Sequence, residues 1–92
     1  MPVTVHLSGH LKPYTDGQVE VSLAGEHQTV GDVLNSLWTV HPALHDRVLT
    51  ETGDIRQHVN IFAGGTDVKK AGGLRTPIDK GEIHIFNAVS GG

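Results

Sequence analysis

The chain has 92 residues, with ten acidic side chains against seven Lys and Arg, seven histidines and no cysteine. That length suits one domain with one core, burying roughly 60–65% of the unfolded surface without covalent staples. The missing thiol excludes disulfides, thiolate metal sites and a cysteine nucleophile, and it fits a reducing compartment, so a cytoplasmic location is expected. A net charge of −3 with scattered cations lacks the basic stripe that nucleic acid requires. The first seven residues lack the basic-then-apolar pattern of a signal peptide. No stretch reaches the roughly 20 apolar residues of a membrane span.

Val3, Val5 and Leu7 alternate with Thr4, His6 and Ser8, the period of a strand with one dry face. Residues 9–17, with Pro13, Asp16 and Gly17, read as a loop. Val19, Val21 and Leu23 alternate with polar neighbours and predict a second strand, paired with the first as a hairpin. Thr29 and Asp32 have the spacing of a capping box. Val30, Val33, Leu34, Leu37 and Trp38 follow at intervals of three and four, the stripe of an amphipathic helix. Pro42 ends that helix and can open a second short helical segment over residues 43–49, burying Leu44 and Val48.

Residues 58–63 predict a third strand, closed by Gly64 and Gly65, and residues 66–69 a short edge strand whose lysines blunt the edge. Residues 71–81 are irregular, anchored by Leu74 and Ile78, with a tight turn at residues 79–81. Ile83 and Ile85 head the last strand, with His84 and Phe86 on its other face. One sheet with one helix across a single face buries every apolar stripe, the first and last strands lying parallel at its middle. This is an α+β fold of the ubiquitin-like β-grasp arrangement, with a mixed sheet of four to five strands. Residues 1–87 form the body and residues 88–92 a slim tail ending on Gly91 and Gly92. Gly-Gly has no side chain to pack and the largest backbone entropy to lose. Such an end frays, or else it threads a narrow channel.

The ordered combination of Val59-Asn60-Ile61-Phe62, Gly72-Gly73-Leu74, Thr76-Pro77-Ile78, Gly81-Glu82-Ile83-His84-Ile85 and Ala88-Val89-Ser90-Gly91-Gly92 resembles the MoaD/ThiS-type sulfur carriers. The segment from His41 to Leu49 resembles the longer MoaD-like and CysO-like members. Asn87 and Ser90 depart from the proline and alanine frequent in such members, which leaves the particular pathway open. The resemblance implies a carrier rather than an enzyme. Its terminal carboxylate at Gly92 would be adenylated by a ubiquitin-activating-type partner that uses ATP and Mg²⁺, with no cofactor bound by this chain. Sulfur would then replace AMP, giving a thiocarboxylate that donates sulfur to a second, biosynthetic enzyme making cysteine or molybdopterin. Gly91 and Ser90 would serve as spacers, and Phe62, Phe86, Ala88 and Val89 as the partner-binding surface of a chain that is monomeric when free. Residues 88–92, fully extended, span on the order of 16 Å, enough to reach a buried site.

An ubiquitin-like modifier joined to lysines through Gly92 shares the chemistry up to the adenylate. A β-grasp binding module with an inert tail is the third reading. His41 and His45 have a spacing that can share zinc on one helix, but Pro42 lies between them, so no metal site is expected. His6 and His84 become neighbours on the outer sheet face if the first and last strands are adjacent. Gly64-Gly65 and Gly72-Gly73 match no phosphate loop and read as turns. Lys69 and Lys70 read as edge guards or as conjugation acceptors.

Overall fold

The computed structural model describes residues 2–78 and 80–87. Strands β1 (Val3–Leu7), β2 (Glu20–Leu23), β3 (Val59–Ala63), β4 (Thr66–Asp67) and β5 (Glu82–Asn87) form one sheet in the order β2-β1-β5-β3-β4. β1 runs parallel to β5 at the centre, and the other neighbours are antiparallel. The main helix, α1 (Val30–Val40), lies across one face, followed by a 3₁₀ turn at Pro42–Leu44 and the single turn α2 (His45–Val48). The α+β arrangement expected from the alternating strands is therefore present, with five strands.

The period-two pattern sets which face is dry. Val3, Val5 and Leu7 of β1, Ile61 and Ala63 of β3, and Ile83 and Ile85 of β5 all point inward and are buried. They meet Val30, Val33, Leu34 and Leu37 from α1 and Leu44, Val48 and Leu49 from the segment that follows. Trp38 is only partly buried at the edge of that stripe. The helix starts where the sequence signals it. Thr29 Oγ1 accepts the Asp32 N–H at 3.2 Å, and Asp32 Oδ2 accepts the N–H groups of Gln28 and Thr29 at 3.0 and 3.1 Å. These bonds satisfy donors that the first turn leaves open. Gly31 allows close docking, since a Cβ there would stand 3.1 Å from the carbonyl oxygen of Leu74.

Three local expectations are corrected. Residues 9–17 are not a plain loop, because Gly9–Tyr14 forms a 3₁₀ helix that sinks Leu11 into the core. A lone anchor in a short 3₁₀ helix leaves no periodicity to read. Val19 lies just outside β2 at the sheet's edge and stays 41% exposed, although its carbonyl still accepts the Leu7 N–H. The edge strand stops at Asp67, whose carboxylate accepts the Lys69 N–H and starts a 3₁₀ turn over Val68–Lys70. Lys69 is thereby taken off the strand, and its ammonium bonds the carbonyls of Arg56 and Gln57 at 2.9 and 3.0 Å.

Candidate functional site

The outer face of the sheet carries what folding does not require. One row crosses all five strands in register: Glu20, His6, His84, Phe62 and Asp67. Phe86 stands on the same face, two residues beyond His84, and is 38% exposed. Phe62 and Phe86 lie diagonally across β3 and β5, with ring centroids 5.8 Å apart and planes 17° from parallel. An aromatic pair of this kind presents apolar area with its shape already set. The structure thus brings together the two predicted partner-binding phenylalanines. The other predicted site residues, Ala88, Val89, Ser90, Gly91 and Gly92, lie outside the described residues.

His6 and His84 are neighbours, as the adjacency of β1 and β5 requires. Their rings stack at 4.6 Å with planes 13° apart, and His6 Nε2 sits 2.9 Å from Glu82 Oε1. His41 and His45 turn to different partners, His41 to Gln18 at 3.0 Å and His45 to Asp46 at 3.0 Å.

At the end of β5, Asn87 borders an open cleft of about 470 Å³ lined also by Arg47, Thr50, Arg56, Gln57, His58 and Val59. Arg47 is held over the Tyr14 ring, 5.1 Å from its centroid, and Arg56 Nε donates to the Asp46 carbonyl at 2.7 Å. The hydrogen bond from His45 holds the Asp46 carboxyl below the usual aspartate range, with smaller help from the charges of His45, Arg56 and Arg47. Two guanidinium groups, each held by a contact of its own, therefore line the cleft beside Asn87. Sequence reading missed this cleft, because Arg47, Arg56 and Asn87 are far apart in the chain and share no motif. Among the described residues, the buried Asn87 Oδ1 has no hydrogen-bond partner.

A five-stranded mixed sheet gripping one helix, with its central strand running toward the chain's end, defines a ubiquitin-like β-grasp protein. The model of the ThiS family matches residues 5–92. The chain belongs to the ThiS family. It is 36% identical to the sulfur carrier protein CysO of Mycobacterium tuberculosis over 95 residues, covering all of both chains. The crystal structure of that CysO superposes with a TM-score of 0.82 at 32% identity, over 95% of this chain and 99% of the other. Small archaeal modifier protein 3 of Haloferax volcanii is 38% identical over 65 residues, 70% of each chain. The BexX/CysO complex of Amycolatopsis orientalis contains a chain with a TM-score of 0.84 at 26% identity, over 98% of this chain and 99% of that one.

Proposed function

We propose that this protein is a sulfur carrier of the CysO kind, working through a thiocarboxylate on Gly92. The observation that carries the reading is the combination of a family match extending through Gly91-Gly92 with full-length similarity to a sulfur carrier. The chemistry follows from the group itself. A terminal carboxylate, ionised at neutral pH, is a poor electrophile. Attack of its oxygen on the α-phosphorus of ATP, in a partner's Mg²⁺ site, expels pyrophosphate and leaves an acyl-adenylate. A sulfide sulfur then attacks the acyl carbon and AMP departs, leaving a thiocarboxylate on Gly92. A persulfide donor gives an acyl disulfide first, which a second thiol cleaves, forming a disulfide with the donor and freeing the thiocarboxylate. The thiocarboxylate sulfur is the nucleophile in the second enzyme, one hard transfer being split into easier steps.

In this scheme the chain is a substrate of its partners rather than a catalyst. The adenylating enzyme and the sulfur-accepting enzyme dock on the outer sheet face around Phe62 and Phe86, while the segment after Asn87 enters their sites. The complex of BexX with CysO supports partner recognition by a chain of this fold. Among the described residues no helix is long and apolar enough to cross a membrane, in keeping with a carrier that moves between enzymes.

A second reading rests on the similarity to a small archaeal modifier protein: Gly92 joined to lysine amines of other proteins. Intact-mass analysis of the protein from its native cell separates the two. A carrier shows the mass gain of one oxygen replaced by sulfur. A modifier shows a ladder of heavier conjugates and no thiocarboxylate.

A further inference from the structure

We propose that His6, Glu82 and His84 form a binding site for a divalent ion of the zinc class on the outer face of the sheet. One ligand atom from each side chain falls in a group whose members all lie within 4.8 Å of one another. Zinc holds nitrogen and oxygen ligands at about 2.0–2.2 Å, which in a tetrahedron sets the ligand atoms about 3.3 Å apart. His6 Nε2 and Glu82 Oε1 are already 2.9 Å apart. Closing the site therefore asks for shifts of at most about 1.5 Å between ligand atoms, within the reach of side-chain rotation. His6 and Glu82 are 32% and 54% exposed, which leaves solvent-side room for the stacked rings to turn toward a shared ion.

The backbone supplies the order. β1 and β5 are adjacent strands inside the sheet, and their parallel register sets His6 beside His84 and Thr4 beside Glu82. Ligands carried on such strands are placed more precisely than ligands on loops. Two imidazoles and one carboxylate are also a selective donor set, suiting zinc, nickel or copper better than magnesium or calcium, which prefer oxygen throughout. Glu20 lies directly across from His6 in the β1–β2 register and adds a second carboxylate to the row. Three protein ligands on an open face leave a fourth position for water. On binding, the ion takes the place of the hydrogen bond between His6 Nε2 and Glu82 Oε1.

The test is calorimetric titration of the untagged, full-length protein with zinc chloride in a non-coordinating buffer, alongside nitrogen NMR of the imidazole rings. One ion per chain is expected, with ring shifts confined to His6 and His84. Glu82→Gln, His6→Gln and His84→Gln should each weaken binding by about tenfold or more, while thermal unfolding of the metal-free variants shows that they fold. The proposal is overturned if zinc is not bound, if the shifts fall on His10, His27, His41, His45 or His58, or if folded His84→Gln binds zinc as the parent does. The proposal stands apart from the sulfur-carrier reading, since neither the titration nor the ring shifts involve Gly92.

Discussion

The two faces of the sheet come from the same strands and answer to different demands. Val5, Ile61, Ile83 and Ile85 point inward and are 0–1% exposed. His6, Phe62, His84 and Phe86, alternating with them, point outward as two stacked ring pairs. The inner face is what any chain of this fold must bury, about 25 cal/mol per Å² of apolar surface being gained by doing so. The outer face has no such duty. Rings placed there contribute little to folding, and their arrangement is available for recognition.

The largest effect should come from the inner face. Ile83→Ala leaves a cavity under α1 and should cost about 2–5 kcal/mol, measured by denaturant unfolding. A loss below about 1 kcal/mol would mean that this side chain is not core. Phe86→Ala should do the reverse. It should cost about 1 kcal/mol or less of stability, the value of an aromatic pair, yet raise KM for the adenylating partner by about tenfold or more, as loss of an interface anchor does. Equal KM in the variant would remove the outer face from the docking account.

The smallest effect concerns the helix that covers the inner face. The N–H groups of Gln28 and Thr29 hydrogen-bond the Asp32 carboxylate and hold its pKa below the ordinary value. A carboxyl whose folded pKa is depressed stabilises the fold fully above its unfolded value, about 3.9, and loses that contribution as pH falls through the folded value. Unfolding temperature should therefore drop below about pH 4, and Asp32→Asn should flatten the drop. An unchanged acid limb in Asp32→Asn would show that the capping box is not its source.

The inner face was legible in the sequence because its periods, two for strands and 3.6 for the helix, repeat over several residues. The capping box at Thr29 and the break at Pro42 were legible because their chemistry is local. Leu11 was not, since one buried side chain in a 3₁₀ turn makes no pattern. The stop of β4 at Asp67 was missed for a similar reason, a side-chain bond to Lys69 N–H having ended the strand early. On the outer face the His6–His84 neighbours followed once β1 was placed beside β5, and the shared face of Phe62 and Phe86 followed from the alternation along β3 and β5. Glu82 and the arginine cleft at Asn87 depend on side-chain geometry across strands and loops, which no spacing encodes.

The most direct measurement of the central claim uses the purified adenylating enzyme, ATP and Mg²⁺ with two forms of this chain, intact and lacking Gly91 and Gly92. Pyrophosphate release and, with sulfide added, the oxygen-to-sulfur mass gain should appear for the intact protein and vanish for the shortened one, with both unfolding at the same temperature. Equal turnover of the two forms, or none with either, would contradict the assignment of Gly92 as the carrier position.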